Sequence, residues 1–509
     1  MLISTAVFFA LQPMVGWDGG RLFVARAITV AIAGTVVFAW MVWLPWWSRA
    51  VRRGLAIAPL VAIMLGVGLV RVRGLSGNLV PILAWRWSAD SADVSNVAAN
   101  GNTADVDLTT TSADDYPQFL GPRRDAALPD VELSGDWHAR PPKLLWKRPI
   151  GAGWSAFAVV GPFAVTQEQL GEQESVVCYR VLTGEVCWVH GDPIDYESVV
   201  AGSGPRATPT IVGGRVYTVG ATGLLNCLDG ATGKLIWQRH TLEDNHAQPN
   251  EWGASCSPLV TDGLVVVSPG GTDGRSLVAY DADSGEPVWH GGDDLSGYSS
   301  PTLANLAGVK QVLIVNGRSV AGHDLRDGRL LWDYRWGYGE PNVSQPVPID
   351  ENRVLISSGY GVGAALLEIV PVDDGQFAVK TIWKSLNLKS KFSNVVLRDG
   401  FIYGLDDPGI LACVELKTGR RKWKRGRYGH GQIMLVGRTI LVQAENGDLA
   451  LVEATPNRPH ELARIPALDD KTWNNPALAG NHLLIRNDQQ AACYEVELTS
   501  RDADDEKHS

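Results

Sequence analysis

Eight short segments of this chain carry side chains whose types and spacing could support binding or chemistry. Each precedes a predicted strand, as in "PRATP" (205–209), "GYSSP" (297–301) and "TWNNP" (472–476). Variable loops on a constant scaffold are where binding specificity normally lies. The last residue of each segment is the anchor position, which is Pro209, Pro301 and Pro476 in these three examples. The residues three places before the eight anchor positions are Trp154, Arg206, Ser255, Tyr298, Val343, Phe392, His430 and Trp473. We predict a binding ring at one mouth of a central channel, formed by Trp154, Arg206, Ser255, Tyr298, Phe392, His430 and Trp473. The alternative is that the aromatic rings only plug the channel or pack on their neighbours.

His430, within "YGHGQ", is the one ring residue suited to acid–base chemistry, and the sequence shows no partner for it. No serine, histidine and acid fall into a recognisable hydrolase motif. The glycine spacings in "GRSVAGHD" and "GYGVGA" precede no helical pattern, which argues against a phosphate loop. We therefore predict no catalytic residue.

The six cysteines show no zinc-like spacing, so no metal site is predicted. Cys178, Cys227, Cys413 and Cys493 share one position in four repeats, where another repeat has Ala279. A position shared by cysteine and alanine indicates a small buried slot. The exception is the pair Cys178 and Cys187, which flank the hairpin "VLTG" and could form a cross-strand disulfide. Cys256 stands alone on a loop.

These residues are positioned by a repeat. "CLDGATGKLIW" (227–237) returns as "AYDADSGEPVW", "GHDLRDGRLLW" and "CVELKTGRRKW", and the repeat tryptophans are 40 to 52 residues apart. This period is typical of propellers and solenoids. Residues 209–237, "PTIVGGRVYTVGATGLLNCLDGATGKLIW", contain four strands joined by tight turns, which predicts one antiparallel propeller blade. The residues predicted to dock one blade on the next are Trp146, Trp188, Trp237, Trp289, Trp332, Trp383, Trp423, Gly184, Gly233, Gly285, Gly328 and Gly419.

The strand count predicts an all-β, eight-bladed β-propeller. Eight third strands are present, but the eighth repeat has no fourth strand after it, whereas "KLLWKRPI" (143–150) precedes the first repeat. Joining this spare strand to the last blade closes the ring and leaves no exposed edges.

The N-terminal region differs from the repeats. Residues 27–47 and 54–70 are uncharged and long enough to cross a bilayer, and 1–17 could be a third span. We predict a transmembrane anchor over 1–87 with two or three helices, a disordered linker over 88–115, the propeller over 116–498 and a disordered tail over 499–509. Arg49, Arg52 and Arg53 favour a cytoplasmic loop, which places the propeller on the periplasmic side of the inner membrane; Arg71, Arg73 and Arg86 argue for the opposite orientation.

The pattern D-x-x-T/S-G-x-x-x-W resembles the pyrroloquinoline quinone (PQQ)-binding-like, quinoprotein-type β-propeller repeat. "DYPQFLGPRRDA" (115–126) is similar to the start of multi-blade members of that family. The resemblance covers residues 116–496 and implies one of two branches. The dehydrogenase branch implies PQQ with calcium, a catalytic aspartate and adjacent cysteines, and no Cys–Cys pair exists here. The BamB-type branch implies a scaffold in outer-membrane protein assembly, although no lipidation cysteine lies near this N-terminus.

These features favour a membrane-anchored, non-catalytic propeller that acts as a protein-binding scaffold in the cell envelope, with no cofactor. The expected partner is an envelope protein or peptide, with the membrane bound through the N-terminal helices. A net charge of −10 without basic clusters in the propeller argues against nucleic acid. The alternatives are a PQQ-dependent quinoprotein dehydrogenase and an envelope sensor that binds a small ligand.

Overall fold

The computed structural model describes residues 29–30, 32–40, 42, 46–87, 105–198, 200–372 and 375–500. The chain divides into two compact units. The N-terminal unit comprises Met1–Asp90 with Val199–Ala201, and the ring unit comprises Ser91–Ser198 with Gly202–Ser509.

In the N-terminal unit, helix α1 (Arg49–Leu69) leads directly into a hairpin of β1 (Val70–Leu75) and β2 (Pro81–Trp85). The helix begins five residues before the predicted start at 54, because the Ser48 hydroxyl accepts the Val51 amide and caps it there. The three arginines assigned to a loop therefore lie in the helix. No helix among the described residues is both long and apolar enough to span a bilayer. The predicted span 27–47 is described only in part, and 1–17 lies outside the described residues.

The ring unit confirms the predicted eight-bladed propeller. Each blade is an antiparallel meander in which the chain runs from the inner strand to the outer strand. The strands of blades 1 to 4 are β6 to β9 (Ala158–Val160, Phe163–Leu170, Gln173–Arg180, Val186–Asp192), β12 to β15 (Thr210–Val212, Arg215–Val219, Leu224–Asp229, Leu235–His240), β16 to β19 (Leu259–Thr261, Leu264–Val267, Leu277–Asp281, Pro287–Gly291) and β20 to β23 (Thr302–Leu306, Val309–Val315, Ser319–Asp324, Leu330–Arg335).

The second half of the ring repeats this order. The strands of blades 5 to 8 are β24 to β27 (Val347–Pro348, Arg353–Ser358, Gly363–Pro371, Phe377–Ser385), β28 to β31 (Ser390–Arg398, Phe401–Asp406, Ile410–Glu415, Arg421–Arg427), β32 to β35 (Gln432–Val436, Thr439–Gln443, Asp448–Glu453, Glu461–Pro466) and β36 to β38 (Ala477–Ala479, His482–Arg486, Gln490–Glu495) with β5 (Lys143–Pro149). The remaining elements are β3 (Ala127–Leu128), β4 (Val131–Leu133), β10 (Glu197–Ser198), β11 (Gly202–Ser203), α2 (Thr241–Asp244) and β39 (Leu498–Ser500).

The ring closes as the sequence predicts. Strand β5 pairs with β38 as the outer strand of blade 8, and Trp146 lies opposite Cys493. Blade 7 gains a fifth strand because β3 pairs in parallel with β32. The first and last parts of the ring sequence are therefore joined, which removes the two open edges of an unclosed array.

Tryptophans connect neighbouring blades. The indole N–H of Trp188 donates to the Gly230 carbonyl at 2.9 Å, and a Cβ on Gly233 would lie 2.5 Å from the Trp188 ring. The same donation to the next blade is made by Trp146, Trp237, Trp289, Trp383 and Trp423. Trp332 differs, because its indole donates to Gln311 within its own blade. Blade 5, next to it, replaces the glycine turn with the longer hairpin of β26 and β27.

The ends of the ring sequence differ from the predicted boundaries. Residues 105–115, assigned to the linker, pack on the ring: Val106 and Leu108 are buried, and the Leu108 carbonyl accepts the Gly214 amide at 3.0 Å. Apolar side chains spaced within that polar stretch are the reason that it docks. At the other end β39, which pairs with β4, extends to Ser500, and 501–509 lie outside the described residues.

Candidate functional site: the entry face of the ring

Strand direction defines two faces of the propeller. Inner strands begin on one face, which we call the entry face, and the turns between first and second strands lie on the opposite turn face. The loops that connect the outer strand of one blade to the inner strand of the next therefore meet at the entry face. Six of the seven predicted binding residues lie in these loops, and Phe392 lies near the start of β28, the inner strand of blade 6.

A belt of hydrogen bonds holds the entry loops in place. In five successive links, the amide of the residue before the anchor position is bound by the side chain at the same position in the next blade. The links join Ala156 to Thr208, Thr208 to Ser257, Ser257 to Ser300, Ser300 to Gln345 and Gln345 to Asn394, at 2.7 to 3.1 Å. Sequence reasoning missed this belt. A polar residue just before seven of the eight anchor positions was its signal.

Four predicted residues from four blades form an aromatic row. Trp154 and Trp473 have ring centroids 4.8 Å apart, Trp473 and Phe392 are 5.2 Å apart, and Phe392 and His430 are 5.4 Å apart. Each such pair stabilises by roughly 0.5–1.5 kcal/mol beyond the apolar area that it buries. The aromatic side chains thus pack on their neighbours at the entry face, as the alternative interpretation expects.

Charged groups surround the aromatic row. The Lys471 ammonium lies 4.8 Å from the Trp154 ring and 4.3 Å from the Trp473 ring. Glu445 accepts the indole N–H of Trp473 and the amide of His430, both at 3.0 Å. Cation–π contacts of this kind are worth roughly 0.5–2 kcal/mol, more where water is excluded. Aromatic rings at the entry face therefore lie next to side chains of both signs of charge.

The other three predicted residues form a second group, the tyrosine cluster, with Tyr196 and Trp252. Trp252 stacks on Tyr298 at 5.1 Å, and Ser255 donates to the Tyr298 carbonyl at 2.9 Å. The Arg206 guanidinium lies 4.6 Å from the Tyr196 ring and donates to the Trp252 carbonyl at 2.8 Å. Burial lowers the pKa of Arg206 to about 10 and raises that of Tyr298 to about 12.

A cavity adjoins the tyrosine cluster. It is small and partly open to solvent, and it lies between the ends of blade 2 and the entry loops of blades 3 and 4. Its lining includes Thr241, Asn250, Ser255, Cys256 and Ser296. These hydroxyl, amide and thiol groups surround about 10 Å³ of space, which is room for about one water molecule.

Two acidic groups at this face were not predicted. Asp407 Oδ1 lies 3.7 Å from His430 Nε2, and both side chains are almost fully buried, so the histidine does have a carboxylate neighbour. Glu174 is buried and accepts the Ala221 amide at 3.0 Å. Burial raises the pKa of Glu174 to about 7. Both were missed because their partners come from other strands or blades.

All six cysteines are buried free thiols. Cys178 lies opposite Trp188, and a β-bulge follows, so Cys187 is not its direct partner as the symmetric hairpin suggested. Burial raises the pKa of the Cys178 thiol, and contact with that thiol lowers the pKa of Cys187. Within the part of the chain that the structure describes, no group of three or more His, Cys, Asp or Glu could hold a metal ion.

Comparison with known proteins agrees with the fold. Residues 172–425, just under half of the chain, match a family model described as outer membrane protein assembly factor BamB. BamB of Shewanella oneidensis is 23% identical over 297 residues, which are 55% of this chain and 71% of that protein. The crystal structure of BamB from Moraxella catarrhalis has a TM-score of 0.50 at 17% identity, over 70% of this chain and 97% of that one.

Dehydrogenases of the same fold are also similar. Quinohemoprotein alcohol dehydrogenase ADH IIB of Pseudomonas putida is 35% identical over 236 residues, but these are only 34% of its length. The quinohemoprotein alcohol dehydrogenase of Comamonas testosteroni has a TM-score of 0.54 at 13% identity, over 80% of this chain and 84% of that one. The ring unit is therefore similar both to BamB propellers and to the propellers of quinohemoprotein alcohol dehydrogenases.

Proposed function

We propose that this protein is a non-catalytic scaffold whose entry face binds another protein of the cell envelope. The observation that carries the proposal is a set of exposed apolar side chains on three successive entry loops. They are Leu295 between blades 3 and 4, Tyr338 between blades 4 and 5, and Leu386 between blades 5 and 6, with 50%, 87% and 65% of their surface exposed. Large apolar side chains grouped on one face of a soluble ring are typical of protein–protein contact sites.

The geometry of the loops supports a preformed site. Tyr338 stands on a short loop between Gly337 and Gly339, and its amide is bound by Glu340 at 2.8 Å. The hydrogen-bond belt and the aromatic row fix the loops beneath it, so binding would order few additional residues. A segment of the partner could also enter the mouth beside Trp473 and Lys471, or pair with an outer strand.

Photo-crosslinking tests the scaffold role. A photoreactive amino acid in place of Tyr338 or Leu295 in the full-length chain should yield a discrete crosslinked partner in living cells. The matched control is Val212, which is also exposed but lies at a turn on the opposite face. Discrete products from the entry loops alone support the proposal. Products from Val212 alone, or none from any entry-loop position, would contradict it.

We also propose that residues 27–47 and 54–70 anchor the protein in the inner membrane, with the ring on the periplasmic side. The support is the two uncharged stretches in the sequence. Protease added to spheroplasts should digest the ring without detergent. Complete protection of the ring until detergent is added would show that the ring lies on the cytoplasmic side and would contradict this orientation.

A quinone-dependent dehydrogenase is the second candidate, favoured by relatives such as ADH IIB. Among the described residues, no group of three or more His, Cys, Asp or Glu could hold a metal ion, and calcium can also be bound by amide and carbonyl oxygens. Cys178 and Cys187 are buried in the apolar core between blades 1 and 2. Stoichiometric binding of added PQQ and calcium by the full-length chain, with dye reduction by alcohols, would overturn the scaffold proposal.

A further inference from the structure

The hairpin of β1 and β2 has one face on which the paired residues are apolar. Paired residues in an antiparallel ladder point to the same side, and the register pairs Val70 with Trp85 and Val72 with Leu83. The next pair, Arg71 with Ala84, points to the other side. Val72, Leu83 and Trp85 have 61%, 64% and 55% of their surface exposed. The hairpin therefore presents an apolar face that the described residues leave exposed.

A second tryptophan extends this face. Trp87, 67% exposed, stacks on Trp85 with ring centroids 5.3 Å apart and planes 12° from parallel. Indoles have an apolar body and one polar N–H, and they are enriched at the level of lipid headgroups. We call Val72, Leu83, Trp85 and Trp87 the hairpin patch.

The charge of the hairpin is opposite to that of the chain. Residues 70–87 contain Arg71, Arg73 and Arg86 and no aspartate or glutamate, whereas the whole chain carries a net charge of −10. Arg71 lies on the face opposite the patch, Arg73 lies at a bulge, and Arg86 lies between the two tryptophans. Guanidinium groups that flank an apolar, tryptophan-rich surface match an anionic headgroup layer, where each cation near the surface adds attraction.

We propose that the hairpin patch inserts into the interfacial layer of a membrane that contains anionic phospholipid. The tryptophan pair lies at the headgroup level, Val72 and Leu83 contact the upper acyl chains, and Arg73 and Arg86 lie at the level of the lipid phosphates. The position of the hairpin agrees with this, because β1 follows α1 without a linker, and α1 exposes Ile57, Met64 and Leu65 along its length. An isolated two-stranded hairpin is marginally stable in water, and the lipid interface supplies the missing apolar cover. The inference depends neither on the scaffold role nor on whether the helix crosses the bilayer.

The test reads the depth of the hairpin and not the attachment of the chain. Val72→Cys in the full-length protein is labelled with an environment-sensitive fluorophore, which reacts selectively because the six native cysteines are buried. The protein is reconstituted into vesicles of phosphatidylcholine with about a third phosphatidylglycerol, with or without a spin-labelled lipid quencher. The matched control is Ala84→Cys, on the opposite face of the same hairpin.

We expect the lipid quencher to reduce the Val72→Cys signal several-fold more than the Ala84→Cys signal. Trp85→Ser with Trp87→Ser should abolish this difference, and Arg73→Gln with Arg86→Gln should weaken it. Equal quenching at both positions would overturn the proposal. So would a shift of the Val72→Cys emission that grows with protein concentration and ignores the quencher, since a second copy of the chain would then cover the patch.

Discussion

Arg486 of blade 8 and Thr166 of blade 1 form a hydrogen bond across the ring closure, with Nη1 of the guanidinium 2.6 Å from Oγ1 of the threonine. The same guanidinium donates to the carbonyls of Gln167 and Gly151, at 2.9 and 3.0 Å. Arg486 is fully buried, and Glu168 nearby is buried as well. The closure is therefore held by a buried charged group in addition to the pairing of β5 with β38.

Arg486→Met should destabilise the ring at the contact between blades 8 and 1. Removing this buried cation takes the donor from several buried acceptors and the nearby positive charge from Glu168, which costs about 3–5 kcal/mol of the free energy of unfolding. Denaturant unfolding of the full-length protein in mild detergent, followed by tryptophan fluorescence, measures the loss. Lys143→Met is the control, because Lys143 lies on the closing strand but forms only an exposed ion pair with Glu495, worth less than about 1 kcal/mol. Similar losses for both variants would refute this account of the closure.

Gly233→Ala should be more harmful than Gly213→Ala. Both glycines have positive φ, +70° and +56°, so each alanine variant carries the left-handed strain of about 1–2 kcal/mol. Only at Gly233 would the new Cβ also meet a ring, that of Trp188. Overpacking there should add about 1–3 kcal/mol. Equal unfolding midpoints for the two variants would show that the contact between tryptophan and glycine does not stabilise neighbouring blades.

Arg124→Met should destabilise the ring, whereas Arg123→Met should not. Arg124 is buried and donates to the carbonyls of Ser257 and Pro258 in blade 3, at 3.0 and 3.1 Å. Losing a charged donor to buried acceptors costs about 2–3 kcal/mol. Arg123 is exposed and pairs with Asp125, so its loss should change the free energy of unfolding by less than about 1 kcal/mol. Thermal melts of the two variants make the comparison, and an equal effect would contradict a clamping role for this segment.

Glu174 should make stability depend on pH. Burial raises its pKa from 4.5 to about 7, so an unfolded chain releases this proton at a lower pH than the folded one. The contribution of Glu174 to the free energy of unfolding is greatest below about pH 4.5. It declines as the pH rises to about 7 and is constant above that pH. The shift corresponds to about 3 kcal/mol.

Glu174→Gln should remove this decline and raise the free energy of unfolding relative to the native chain at pH 8. Unfolding midpoints between pH 4 and pH 8 measure it. Glu172→Gln, two residues away and exposed, should keep the native pH profile. If the native and Glu174→Gln profiles are parallel, the buried carboxyl does not titrate as described.

Much of the architecture could be read from local patterns. Strand alternation, turn glycines and the tryptophan period depend on residues close together in the chain, so they predicted the blades and the closing strand around Trp146. The loop positions of Trp154 and Trp473 followed from the same register, but their contacts with each other and with Phe392 did not. Helix α1 began earlier than expected because one hydroxyl, that of Ser48, decides where it is capped.

The sequence by itself determined the repeat, the number of blades and the loops that meet at one face, because these arise from short-range periodicity and turn chemistry. Only the tertiary structure decided which distant groups meet, as in the pairs His430 with Asp407 and Trp473 with Glu445. It also decided that Arg124 reaches blade 3 and that Val106 and Leu108 dock on the ring. These contacts depend on how eight sheets close around one axis. No local sequence pattern encodes which residues from different blades come into contact.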